Sequence, residues 1–189
     1  AVLSRRSIQK FLVLLHGIMK RAKRRKWITS NPSEDVERVT VRPTGDFTVL
    51  SPVEVAAVAQ ASTSNHLAAL FTVAAFTGLR LGEIRALRWA DIDFAGRMVM
   101  VRRNHPSHGD EKAPKSGKVR SVPLIDQAAR VLDELSRREL FTEPGDRVFC
   151  SPTGGVMDDV PIRRQFYAAL TAAGLGHLRD KEEPIVFHD

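Results

Sequence analysis

Cysteine is almost missing: the 189 residues contain only Cys150, so no internal disulfide can form and a reducing cytoplasm is the expected location. Long apolar runs are also missing. The longest, Phe11 to Leu15 and Leu67 to Phe76 with Thr72 interrupting, fall far short of the roughly 18 residues that span a bilayer. No membrane span is expected, and no apolar signal core opens the sequence. Aromatics are few, at 6%, and Tyr167 is the one tyrosine. No internal repeat or low-complexity segment occurs. With 43% hydrophobic and 27% charged residues the composition is that of a folded globular protein, which excludes a disordered tail or a fibre.

Acidic charge is scarce at one end only. Residues 1–40 hold ten basic and three acidic side chains, whereas the remainder holds nineteen of each, so the whole net charge of +7 lies at the N-terminus. That asymmetry points to a polyanionic partner.

Apolar residues at Ile8, Phe11, Leu12, Leu15, Ile18, Met19 and Ala22 have the spacing of one amphipathic helix from Ser4 to Trp27. Its end carries Lys20, Arg21, Lys23, Arg24, Arg25 and Lys26, favourable beside a helix C-terminus and placed for phosphate contact. Asn31-Pro32 is expected to stop it. Residues 33–47 lack periodicity and read as a linker between two units. Beyond it, Ser51-Pro52-Val53-Glu54 is a capping box with proline at the first helical position, opening a helix to about Gln60. Asn65 to Thr77 is nearly all apolar and must be a buried helix that Gly78 ends, and Leu81 to Leu87 is a further helical piece. Residues 97–102 and 119–124 follow period two, the pattern of a small sheet or hairpin. Asp126 is expected to cap the next helix, Arg147 to Cys150 to be extended, and Pro161 to open a last helix through Ala173.

The densest chemistry lies in Thr77-Gly78-Leu79-Arg80-Leu81-Gly82-Glu83-Ile84 and its continuation to Trp89-Ala90-Asp91-Ile92-Asp93. A buried helix stops at a glycine and the next begins at an arginine, so Arg80 is a rigidly held cation suited to an anion. Glu83, three residues on, either supports that guanidinium or caps the following helix.

This segment closely resembles the first arginine box of the tyrosine recombinases, the phage-integrase family, usually T-G-L-R-x-G-E-L-x-x-L-x-W-x-D-I-D. Downstream, Pro114-Lys115-Ser116-Gly117-Lys118-Val119-Arg120-Ser121-Val122-Pro123-Leu124 resembles the family's P-K-T-x-x-S-x-R-x-V-P-L hairpin with a turn one residue shorter. Val186-Phe187-His188-Asp189 resembles the opening of F-H-D-L-R-H. The resemblance implies an α+β, mainly helical catalytic domain over residues 48–189 with a small antiparallel sheet. It also implies that residues 1–32 are the last helix of a core-binding domain.

The implied reaction is DNA strand cleavage and rejoining through a 3′-phosphotyrosyl link, with neither metal nor other cofactor. In it Arg80 clamps the scissile phosphate, Lys115 is the general acid, and His188 assists proton transfer or hydrogen-bonds the phosphate, with Glu83 supporting the site. Double-stranded DNA is the implied partner. Lys20, Arg21, Lys23, Arg24, Arg25, Lys26, Arg102, Arg103, Lys118 and Arg120 are candidate contacts to it, although Arg120 can equally pair with a carboxylate in the fold. The family pattern continues past Asp189 to a second arginine and the nucleophilic tyrosine, so the chain is expected to be an inactive, monomeric piece of a protein that is tetrameric on paired DNA sites. The other reading is a non-catalytic DNA-binding or regulatory remnant.

Remaining features have plainer explanations. His105 and His108 lack further ligands at zinc spacing, Gly154-Gly155 lacks the lysine of a nucleotide loop, Cys150 reads as a buried thiol, and Tyr167 reads as packing.

Overall fold

The computed structural model describes residues 3–40, 48–114, 117–180 and 184–187. The chain forms two compact units, Ala1–Asp46 and Phe47–Asp189.

The first unit is built on α1 (Arg5–Arg24), whose first turn is capped by the Ser4 hydroxyl accepting from the Ser7 N–H at 3.2 Å. The helix stops before the expected Trp27. Lys26 takes a left-handed φ of 60°, and the Trp27 N–H reaches back to the Ala22 carbonyl at 3.0 Å, closing the last turn. Asn31 is buried and acts as a local hook, its side-chain oxygen accepting from the backbone N–H and hydroxyl of Ser33.

In the second unit α2 (Pro52–Gln60) begins with the expected capping box: Glu54 N–H donates to the Ser51 hydroxyl and Ser51 N–H to the Glu54 carboxylate. α3 (Asn65–Thr77) packs against α2 and against α5 (Asp126–Ser136). In chain order α3 and α5 are separated by α4 (Leu81–Ala86) and a sheet of β1 (Ile92–Asp93), β2 (Met98–Val101) and β3 (Arg120–Pro123). The sheet is antiparallel in the order β1-β2-β3, with Val99 opposite Val122 and Val101 opposite Arg120. Alternation decides its faces: Val99 and Val101 enter the core while Met98 and Met100 stay half-exposed.

α6 (Asp159–Ala172) starts two residues before Pro161, because Asp158 accepts from the Val160 N–H and proline is tolerated in a first turn. Asp126 is likewise not a cap but the first helical residue after Ile125, and it pairs with Arg97. Arg147 to Cys150 makes isolated bridges, Arg88 with Arg147 and Cys150 with Val156, in place of a strand. One core joins the elements through Leu70, Val73, Ile84, Val99, Leu132, Phe149, Ile162 and Leu170. Among the described residues no helix is long and apolar enough to cross a membrane.

Candidate active site

Rigidity at the end of α3 sets the position of Arg80. The buried Thr77 hydroxyl donates to the Val73 carbonyl at 2.6 Å, and Gly78 turns left-handed at φ 63° with its N–H on the Ala74 carbonyl at 3.1 Å. A side chain there would add about 1–2 kcal/mol of backbone strain. Arg80 then caps α4 in an extended conformation, its carbonyl accepting from the Ile84 N–H at 3.0 Å.

Glu83 lies beneath Arg80, 3% exposed. It accepts four interactions. Arg120, arriving from β3, places Nη1 on Oε1 and Nη2 on Oε2, both at 2.7 Å, and the Arg80 N–H donates to Oε2 at 2.9 Å. The Arg80 Nη1 lies 3.5 Å from Oε1. One carboxylate is therefore shared by two guanidiniums, leaving one positive charge in surplus. The fork of Arg120 is committed to the carboxylate, whereas Arg80 is 47% exposed and free to meet another anion. Both arginines line a groove of about 800 Å³ whose other walls include Leu50, Val58, Phe71, Phe166 and Phe187.

Burial pushes the Glu83 carboxyl up, but the Arg120 fork, the Arg80 N–H and the two positive charges together outweigh it and hold the group below its ordinary value of 4.5. The same hydrogen bond pushes Arg120 up. A carboxyl depressed in the folded state adds stability that is complete above its unfolded value and is lost as pH falls through the folded one. Urea unfolding should therefore give a stability that declines as pH drops below about 4.5, and Glu83→Gln should flatten part of that decline. An equally steep decline in the variant would place the acid sensitivity elsewhere.

Residues 49–189 match the model of the Phage integrase family. The chain belongs to the phage integrase family.

A tyrosine recombinase XerC-like protein of Caldanaerobacter subterraneus subsp. tengcongensis is 29% identical over 172 residues, covering 78% of this integrase-family chain and 42% of that protein. The lambda integrase dimer bound to a COC′ core site superposes with a TM-score of 0.67 at 19% identity over 90% of this chain and 57% of that one. The Tn1549 transposon integrase in complex with circular intermediate DNA gives 0.71 at 18% identity over 97% and 62%. These likenesses establish the fold, mainly helical with a small antiparallel sheet. The chain spans less than half the length of the curated relatives it matches, between 31% and 48%.

Within this chain of the phage integrase family Arg80, Glu83 and Arg120 come together, whereas Lys115 and His188 lie outside the described residues. Arg102 and Arg103 sit apart, on a carboxylate that sequence reading passed over: the 3%-exposed Asp91 receives Arg103 Nη2 at 2.8 Å and Arg102 Nε at 3.3 Å. Its place in the Trp89-Ala90-Asp91 end of the box was the available signal. Glu111, with no such signal, gathers Arg147 at 2.9 Å and Arg88 at 3.2 Å. Lys118 is exposed. In the first unit Lys20, Arg21, Lys23, Arg24, Arg25 and Lys26 are all exposed; Lys23 approaches Glu34 at 3.5 Å and Arg25 covers the Trp27 ring at 5.1 Å. Among the described residues no cluster of His, Cys, Asp and Glu could hold a metal ion. Tyr167 is half-buried against Phe166, with Arg179 over its ring at 4.2 Å.

Proposed function

We propose that this chain is the phosphate-gripping part of a tyrosine-type site-specific DNA recombinase. The observation that carries the reading is the half-exposed Arg80 guanidinium, held from below by a buried carboxylate whose second guanidinium partner leaves the pair with surplus positive charge. Such preorganised charge suits the transition state of phosphoryl transfer, where negative charge spreads over the non-bridging oxygens. In this reaction a tyrosine hydroxyl oxygen, from a residue outside this chain, bonds to phosphorus as the phosphorus–O5′ bond breaks. The tyrosine proton leaves with assistance from His188, and Lys115 supplies a proton to the departing 5′ oxygen. Arg80 stabilises the phosphorane between them.

Residues 1–32 act as the closing helix of a core-binding domain and 33–47 as the linker to the catalytic domain 48–189. The exposed cations from Lys20 to Lys26 hold duplex phosphates, with Lys118 and the outer edges of Arg102 and Arg103 contributing from the second domain. The complete protein works as a tetramer on paired DNA sites in the cytoplasm, and the 189-residue chain alone is a monomer.

The test is to incubate the complete gene product with a plasmid carrying the DNA that flanks its gene. A protein–DNA adduct that survives denaturant and is removed by protease, with a free 5′-hydroxyl beside it, is the expected result. Binding that weakens steeply with salt but yields no adduct overturns the recombinase reading in favour of a non-catalytic DNA-binding protein. Absence of salt-dependent binding overturns both.

A further inference from the structure

Arg85, the arginine within α4, points away from the Arg80 site into the protein. Arg85 is 4% exposed and lies five residues past Arg80, about 140° round the helix. Its guanidinium is spent on backbone: Nε donates to the Met157 carbonyl at 2.7 Å, and Nη1 to the carbonyls of His105 at 3.2 Å and Pro106 at 3.1 Å. Asp159 and Asp158 are its counter-charges. Neutral carbonyls on two separate segments, reached at fixed angles, are a task for a planar fork and not for the point charge of a lysine.

The same two segments are fastened again close by. The Gly82 carbonyl accepts from the His105 N–H at 2.8 Å, and the approach is so close that a Cβ on Gly82 would lie 2.3 Å from Asn104 Oδ1 and 2.8 Å from the His105 carbonyl oxygen. Asn104 and Lys112 exchange backbone hydrogen bonds at 2.8 and 2.9 Å, closing the 105–111 loop inside the β2–β3 connection, three residues ahead of Lys115 in sequence. Ser107 donates to Asp159 at 2.8 Å, which ties the same connection to α6.

We infer that Arg85 and Gly82 are positioning residues that fix the first part of the β2–β3 connection, residues 104–112, against α4, the helix that Arg80 caps, and so set where the chain leaves Lys112 toward Lys115. The inference rests on the proposed function, since it assigns the clip the task of setting the general acid relative to the phosphate clamp. It needs no contact of Arg85 with DNA. A clip behind the site explains why an arginine is buried among carbonyls when an apolar side chain would fill the space without a desolvation cost.

The experiment has two arms, using Arg85→Met, Arg85→Lys and Gly82→Ala. In the 189-residue chain, amide hydrogen exchange at Asn104, His105 and Lys112 should speed up at least tenfold in Arg85→Met and Gly82→Ala, with α3 and α5 amides unchanged. Arg85→Lys should recover only part of the protection. Exchange that stays slow at these amides, or that rises throughout the core, overturns the clip. In the complete gene product, adduct formation by Gly82→Ala should fall at least tenfold on ordinary DNA. Replacing the bridging 5′ oxygen at the mapped cleavage position by sulfur, whose thiolate departs without a proton, should restore it. The same sulfur should not restore Arg80→Ala. Failure of sulfur to rescue Gly82→Ala reduces the clip to a brace and overturns its role toward the acid. An unaltered protein that forms no adduct removes the proposed function and the role built on it, and the exchange arm still decides separately whether the clip exists.

Discussion

Glu83→Ala should lose about 3 kcal/mol of folding stability, the upper end for hydrogen bonds between charged groups, because it removes the buried carboxylate that takes the Arg120 fork while Arg120, 36% exposed, keeps part of its solvation. The carboxylate is 3% exposed and holds both nitrogens of the Arg120 fork at 2.7 Å. With alanine there, Arg120 keeps its charge, loses its partner, and faces Arg80 across a void. Glu83→Gln keeps the volume and an acceptor for the Arg80 N–H while deleting the charge, so it should lie between alanine and wild type. Thermal melting reads the result: for a protein of this size each kcal/mol moves the midpoint by roughly 2–4 °C, so the alanine variant should melt about 10 °C lower. A change within about 1 °C would mean that the three-residue cluster is held by its backbone alone and that Glu83 does not organise it. Arg120→Met should be nearly as harmful, since it leaves Glu83 buried with only the Arg80 N–H and a 3.5 Å ion pair.

Much of this arrangement was legible in the sequence wherever its cause is local. α3 runs over the expected Asn65 to Thr77 because Ser64 caps it, its side chains are apolar all round, and Gly78 takes the left-handed turn. The pairing of Arg80 with Glu83 spans three residues and is a helix-start device readable from spacing. Where sequence reading left alternatives or failed, the cause is long-range. Arg120 is 37 residues from Glu83, so only the fold chooses a carboxylate over DNA as its partner. Arg85 was passed over because its partners are main-chain carbonyls, and every residue has one. The end of α1 was placed late because cations suit a helix C-terminus without marking where it stops, and the stop is a lysine in a conformation usual for glycine. Pro161 misplaced the start of α6 because proline is accepted anywhere in the first turn, and Asp158 is the true cap.

The second large effect concerns Arg80 itself and separates chemistry from folding. Arg80→Ala should reduce the rate of adduct formation by the complete protein about 100- to 1,000-fold, the usual consequence of deleting one preorganised donor to a developing oxyanion. Stability should hardly change. Arg80 is 47% exposed, its ion pair to Glu83 is 3.5 Å long, and alanine keeps the backbone N–H that Glu83 accepts. Removing it also relieves Glu83 of a competing cation without breaking the Arg120 fork, so the melting midpoint should stay within a few degrees. Arg80→Lys should rescue little, because a single ammonium cannot meet two phosphate oxygens at the fixed spacing of a guanidinium. Binding to duplex DNA should weaken by no more than the loss of one phosphate contact, visible as a salt slope shallower by about one. These readouts discriminate: a loss of adduct matched by an equal loss of binding would make Arg80 an ordinary DNA contact, and a loss matched by melting would make it structural. A rate loss with binding and folding kept is the pattern of a group that meets the phosphate most strongly at the transition state.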